Sequence, residues 1–598
     1  MRSNRGHGRV WTALIAGAVA LGVAAPSASA DTVVVTVMNG SLSNDGECSV
    51  REAVNATNAN AAFNGADDCD HSGSTGPDTI KLPVGTAAIS GAASENLNAT
   101  GDLDIKSGED LTIVGKGAGQ SKLDGDVDRV IDQLGTGDKL TLRKLTVQDG
   151  DAGAGQGGDV QAKGKLTLDH VTIRDGVAAF GGGVRAIPGG KLVMTKSLVT
   201  NNTATGPQGG GGIHAGVAVT ITDSEISDNM ATGSFGPGGM RIEGGPSTIT
   251  GSTFSGNSSA QGAGGAIEVT SGMSPRNLTI TETLITQNHA DSYRGGGIYY
   301  GGAGVLKITH SLFSLNSARS GGGGIEAVND ADTLKLSKSI VSNNTLSSTA
   351  VEIIGGAAIA ADGKSTISQS EIVGNIATSP NEMADGFGGA IRNGGKMRIT
   401  RSTLFDNQSP DGSGGGVYQD GTGAKLTISN STFNENSASS RGGAIRSSLA
   451  ADLHIYNSTF SVNSAGGDGQ AIYAEGTGAA TVQGSIFANS PPSGACQGGN
   501  LVSKGYNVDV GSSCALGGPH DLTDMNPKLR DYDNYGGPIA GTDGIATQLH
   551  LYPIKKSSPA KNLIPKKKCK DDKGKLKTDE ISNKRPGGKK CDAGAFEA

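Results

Sequence analysis

A three-part motif that returns about every 28 residues leaves this chain few ways to fold. The first part is Gly-Gly-small-Ile, as in Gly264-Gly265-Ala266-Ile267, Gly388-Gly389-Ala390-Ile391 and Gly442-Gly443-Ala444-Ile445. Variants end at Val184, Ile213, Met240, Ile298, Ile325, Ile359, Val417 and Ile472, and successive ends lie 26 to 34 residues apart. The second part is apolar-x-apolar, as in Leu278-Thr279-Ile280, Leu306-Lys307-Ile308, Leu426-Thr427-Ile428 and Leu453-His454-Ile455. Its alternation places both apolar side chains on one face of a strand. The third part is Ser-x-Phe-x-x-Asn, as in Ser252 to Asn257, Ser431 to Asn436 and Ser458 to Asn463.

Three short strands separated by Gly/Asn/Ser turns describe one triangular coil. A single coil cannot bury its apolar side. Stacked coils bury a continuous column, with each strand paired to its equivalent in the next coil. The fold expected is therefore all-β: a right-handed parallel β-helix of about 14 coils, on the order of 65 Å long at ~4.8 Å per coil. Composition agrees, with 97 Gly and only 4% aromatic residues. Propeller blades need a longer, four-stranded repeat, and the leucine-rich pattern is absent. The recurrent Asn side chains are expected to bond turn backbone and stack from coil to coil. That ladder would contain Asn229, Asn257, Asn288, Asn316, Asn375, Asn407, Asn436, Asn463 and Asn489, with Asn201 or Asn202 and Asn343 or Asn344.

The ends differ from the middle. Arg2, Arg5 and Arg9 precede an apolar run from Trp11 to Ala25 and an Ala28-Ser29-Ala30 site. Residues 1–30 thus read as a secretory signal, with Asp31 expected to begin the mature chain. No later stretch is apolar enough to span a bilayer, so a secreted or cell-surface monomer is expected. Six cysteines suit export. They fall in sequence-local pairs, Cys48/Cys69, Cys496/Cys514 and Cys569/Cys591. Fifteen connectivities are open, and the local one closes the shortest loops. Zinc is not expected, because no C-x-x-C or paired His occurs. Residues 555–590 carry 14 Lys/Arg against 4 Asp/Glu, a net of +10 on a chain whose total is −7. This basic loop is either a solvated loop tied by Cys569 and Cys591 or a binder of anionic cell-wall or extracellular polymers.

Three resemblances follow from these motifs. Gly-Gly-apolar-apolar with Phe-x-x-Asn is similar to the polymorphic outer-membrane protein repeat. Asp45-Gly46-Glu47-Cys48-Ser49-Val50-Arg51-Glu52-Ala53-Val54, continued by Gly76-Pro77-Asp78-Thr79-Ile80, resembles the CSLREA domain of bacterial surface proteins. Val50 and Val54 stand where that domain has Leu and Ile. Gly505-Tyr506-Asn507, Asp533-Asn534-Tyr535-Gly536-Gly537-Pro538, Ser558-Pro559-Ala560 and Cys591 to Glu597 resemble the choice-of-anchor Q domain, with Tyr535 inserted. These resemblances imply fold and a surface location rather than an activity. They divide the chain into signal peptide 1–30, N-terminal cap 31–100, β-helix repeats 101–490 and a C-terminal region 491–598. Within the cap, Ser49-x-x-Glu52 reads as a capping box opening a short helix that plugs the first coil. Arg51 and Glu52 as a catalytic pair is the rival reading.

The function expected is a non-catalytic surface scaffold, adhesive or interacting. No catalytic, cofactor-binding or metal residues are assigned, and no cofactor is expected. The alternative is a polysaccharide lyase or glycoside hydrolase, since parallel β-helices include such enzymes and fold alone does not decide. Hydrolases need two suitably spaced carboxylates. Asp102 and Asp104 share a face if Leu103 lies in a strand, with no second conspicuous pair. Asp330 and Asp332 are scattered acids, and the aromatics worth locating are Tyr293, Tyr299, Tyr300 and Tyr418.

Overall fold

The computed structural model describes residues 30–63, 68–92, 95–106, 108, 110–270, 272, 274–347, 355–379, 387–448, 450–488, 494–514, 516–541 and 547–598. Residues 1–29, within the expected signal segment, and Asn489 lie outside the described residues. The chain is a parallel β-solenoid of about 13 coils. Its three main sheets hold 17, 15 and 16 strands, and a fourth, of 11 strands, is confined to the inner coils. Stacking runs past the limits that the repeat suggests. Thr32–Val34, Asp78–Lys81 and Gly85–Ala88 already belong to the long sheets, and Cys496–Gln497, Leu501–Ser503 and Val508–Asp509 extend them beyond residue 490. Cys496 pairs with Ile472 as the next rung, so one cysteine of the six sits within the stack. Backbone pairing needs only extended chain, so rungs continue where the side-chain motif has faded.

Each motif forms one wall of the coil. Gly-Gly-small-Ile feeds the 15-stranded sheet, where Ile267 lies opposite Met240 on one side and Ile298 on the other. Apolar-x-apolar forms the 17-stranded sheet, with Leu278 opposite Leu306 and Ile280 opposite Ile308. Ser-x-Phe forms the 16-stranded sheet, where Phe433, Phe460 and Phe487 stack with centroids 5.0 and 5.3 Å apart. All of these side chains lie in one apolar column. The Gly-Gly pair is required by the corner. Gly264 has φ +76°, and a Cβ on Gly265 would lie 2.2 Å from the Gly296 carbonyl oxygen of the next coil.

Two polar ladders tie the corners. Asn229 Oδ1 accepts from the backbone N and Nδ2 of Asn202 at 3.1 and 2.9 Å. The same pair of bonds joins Asn229 to Asn257, Asn257 to Asn288, and onward through Asn316, Asn344, Asn375, Asn407 and Asn436 to Asn463. Asn202 and Asn344, rather than Asn201 and Asn343, occupy the rungs; the latter two adopt φ +56° and +53° in the turn. At the preceding corner the motif serines do similar work. Ser339 Oγ, for example, accepts from Ser311 N at 3.1 Å and donates to the Ser337 carbonyl at 2.9 Å. Serine as a second ladder was not read from the sequence, although the residue recurs there.

Both ends are covered. Helix α1, Val50–Ala59, is opened by the Ser49/Glu52 capping box and buries Val50, Ala53 and Val54 against the first coil. The Cys48–Cys69 disulfide holds it. At the other end the chain turns back as an arm along the outside of the 16-stranded sheet. A hairpin, Asp533–Ala540 with Thr547–Leu551, sets Leu549 on Leu312 and Ile340. The Thr403 hydroxyl donates to the His550 carbonyl at 2.7 Å. Further along, Ile564 and Ala593 pack on Ile486, and Cys569–Cys591 closes the arm. Cys496–Cys514 secures the last coil. Leu312 and Ile340 on the outer face of the sheet are buried beneath the arm, which therefore lies along the rod's flank.

Candidate functional site

The three-residue strands of the 15-stranded sheet point their end residues inward and their middle residue outward. Stacking turns those middle residues into one column. It begins with Asp104, Asp132 and Gln161, in register across successive coils. It continues through Arg185, His214, Arg241 and Glu268, then Tyr299 and Glu326, and later Arg392, Tyr418, Arg446 and Tyr473. The repeat hides this row, because the position after the apolar Ile is the one that varies. That variation inside a fixed frame was the available signal.

Three clusters form along the column. At its start the carboxylates of Asp102, Asp104 and Asp132 converge, with one oxygen of each within 4.8 Å of the others. Asp102 and Asp104 therefore share a face and gain a third partner from the next coil. Arg129 supplies a cation to them, its Nη1 lying 3.0 Å from Asp102 Oδ2 and 3.1 Å from Asp132 Oδ2. Gln161 Nε2 donates to Asp132, and Asn98 N donates to Asp104 Oδ2 at 2.9 Å. All three aspartates are buried. Burial, helped by the neighbouring carboxylate of Asp104, pushes Asp102 up to about 8. Burial likewise pushes Asp104 to about 6.

This predicts a pH effect on the N-terminal coils. A folded-state carboxyl titrating above its unfolded value binds its proton more tightly when folded, so stability falls as pH rises through the interval from about 4 to about 8. Asp102→Asn should therefore flatten that decline and melt higher than wild type at pH 8, with little difference at pH 4. Thermal melts of the two proteins across that range test it, and identical pH profiles would show that Asp102 carries no such load.

The second cluster lies mid-rod. Arg241 bridges Glu243, at 2.9 Å, and Glu268, at 2.8 Å. His214 Nε2 lies 3.2 Å from Glu243 Oε2, with the Phe180 ring 5.8 Å away. Burial drives His214 down to about 4, so the imidazole is neutral at pH 7. The close contact with His214, with Arg241 beside it, holds Glu243 near 2, whereas burial lifts Glu268 to about 7. The third cluster groups Arg392 with Asp362 and Asp420. Beyond it Arg446 sits 5.5 Å over the Tyr418 ring and bonds Glu475, while Arg441 lies 5.0 Å over Tyr473.

The remaining candidates resolve individually. Tyr299 and Tyr418 join the column, whereas Tyr300 points into the core and donates to the Arg276 carbonyl at 2.8 Å. Tyr293 is exposed beside Arg294. Asp332 is buried and accepts from Asn329 N at 3.0 Å, while Asp330 lies in the loop before it. Arg51 and Glu52 do not face a cleft. Arg51 is buried and donates to the carbonyls of Gly40, Gly101 and Asp102, and Glu52 accepts from Ser43 N and Ser49 N. Both hold backbone. Among the described residues no helix is long and apolar enough to cross a membrane.

The model for the right-handed β-helix region matches residues 154–346 and 334–487. No curated protein matches the chain. Among solved structures, the crystal structure of pectate lyase Pel9A is similar over 96% of this chain and 97% of that one, at 15% identity and a TM-score of 0.21. A likeness at that level carries no argument about activity. With its repeats matched over more than half of its length, the chain belongs to the right-handed β-helix family.

Proposed function

We propose that this protein is an exported, non-catalytic scaffold that holds anionic extracellular polymers through its C-terminal arm. One observation carries the reading: the arm sorts its charges by face. Between residues 571 and 580 its acids pair with the rod or lie buried. Asp571 and Asp572 pair with Arg398, and Glu580 is buried, accepting from Thr432 N and from the Thr432 hydroxyl. Its lysines turn outward. Lys566, Lys567, Lys568, Lys570, Lys575 and Lys577 are exposed, and none has an ion-pair partner among the described residues. The surface of the arm is thus more cationic than its composition. Three disulfides suit an oxidising, extracellular setting.

Replacing Lys566, Lys567, Lys568 and Lys570 by Gln should lower the salt needed to elute the protein from an immobilised polyuronate. The melting temperature should stay unchanged, since exposed charges contribute little to stability. Elution of both proteins at the same salt would remove the reading.

A glycan-cleaving enzyme is the second reading. The specific observation in its favour is the separation of Glu243 and Glu268, whose ionisations are pushed apart as an acid and a base require. Against it, both carboxylates are clamped on one guanidinium, and Glu268 is 7% exposed. New reducing ends or unsaturated products from uronic-acid polymers, lost in Glu268→Gln, would put this reading first.

A further inference from the structure

The outer face of the 16-stranded sheet has two fates along the rod. From Leu312 onward the arm covers it. Toward the N-terminus the same face opens into a groove of about 710 Å³. Its floor is made by Val171, which is buried, and by the half-buried Leu198. One rim carries a basic side chain from each of four successive coils: Lys116, Lys144, His170 and Lys196. Lys144, His170 and Lys196 occupy the same corner position, with φ of +52°, +57° and +46°. That left-handed corner directs each side chain away from the stack. The coil rise therefore sets their spacing at about 4.8 Å.

Lys116, Lys144 and Lys196 have no ion-pair partner among the described residues. The nearby Asp169 is already engaged by His170 at 2.6 Å and Arg143 at 3.0 Å. Asp223 and Glu225 close the row at its far end. Among the described residues no Phe, Tyr or Trp lines the groove, and its one imidazole, His170, is held by Asp169, so it offers little on which a nucleobase could stack.

We propose that this groove binds a short segment of a linear carboxylated glycan, lying along the rod with its acidic groups on Lys116, Lys144 and Lys196. A rise of about 4.8 Å per coil is close to that of one residue in an extended sugar chain, so acidic groups of a chain lying along the rod can meet the first, second and fourth rungs, at Lys116, Lys144 and Lys196. The half-buried Thr172 and Thr253 beside the lysines suit sugar hydroxyls, and the apolar floor suits a ring face. The acids at the end of the row limit the segment to the length of the basic rim. This rests on the wider reading of the protein as a binder of anionic polymers, but it places the contact in a different part of the chain, so the two fail separately.

The test is calorimetric titration of oligogalacturonates of increasing length into the full mature chain at low salt. Affinity should rise with each added residue up to about three or four, the number of coils along the rim at ~4.8 Å each, and then level off. Lys116→Gln with Lys144→Gln and Lys196→Gln should weaken the longest oligomer about tenfold, taking about 0.5 kcal/mol for each exposed pair. The arm variant lacking Lys566, Lys567, Lys568 and Lys570 should keep the same length dependence and plateau, which the groove sets. No binding by wild type, equal binding by the triple variant, or tighter binding of single-stranded DNA or polyglutamate would each overturn the proposal. A loss that appears only in the arm variant would overturn it while leaving the wider reading intact.

Discussion

Ile267→Asp is expected to break the rod locally and to produce the largest stability loss of any single change in the repeats. Ile267 is fully buried, and its strand is held between those of Met240 and Ile298. A carboxylate there has no partner in an apolar column, so the substitution costs on the order of 4–5 kcal/mol or more. A solenoid is stabilised coil against coil, so the damage falls first on the two interfaces beside the lesion. The melt should split, with an early transition absent from wild type, and limited proteolysis should nick near that coil. Ile391→Asp should act alike two coils after Ile325. Ile267→Val is the control, at about 1 kcal/mol. A melt of Ile267→Asp that overlays wild type would mean that this residue does not face the column.

Asn316→Leu is the second large effect. Asn316 is fully buried, its Oδ1 accepts from Asn288 N and Nδ2, and its Nδ2 donates to the Ile285 carbonyl and to Asn344 Oδ1. Leucine is similar in size, so volume is nearly conserved while two donors of Asn288 and one carbonyl lose partners. At about 1–3 kcal/mol for each orphaned buried group, partly relieved by the other bonds that Asn288 makes, the expected loss is about 3–5 kcal/mol. Asn201→Leu, one residue from the neighbouring rung but in the exposed turn, should cost much less. Denaturant melts of the two variants separate them. Equal losses would show that position in the ladder does not matter.

The coil itself was legible because three constraints repeat together. A strand wall needs alternating apolar residues, a tight corner needs Gly-Gly, and a stacked corner needs a side chain that both donates and accepts. Ile267, Gly265 and Asn257 each satisfy one of them, and each recurs at the spacing of a coil. The capping helix was legible for a similar reason, since Ser49 and Glu52 bond each other's backbone within one turn. These are local requirements, and residues near in sequence meet them.

What sequence alone could not supply depends on contacts between coils or between the rod and its arm. Asp102 and Asp104 gave a pair, but Asp132 and Arg129 join them only because strands one coil apart pair in register. His214, Arg241, Glu243 and Glu268 have no common motif, and stacking brings them onto one face. The net charge of residues 555–590 was plain from composition. Which of those charges meet solvent was decided by the docking of the arm, which buries Glu580 beside Thr403 and Thr432 and seats Asp571 on Arg398. The sequence thus determined the coil, its corners and its cap, because backbone geometry and apolar alternation act between neighbours. Tertiary structure decided the polar column, the basic groove and the face of the arm, because those depend on residues that only the stacking of one coil on the next brings together.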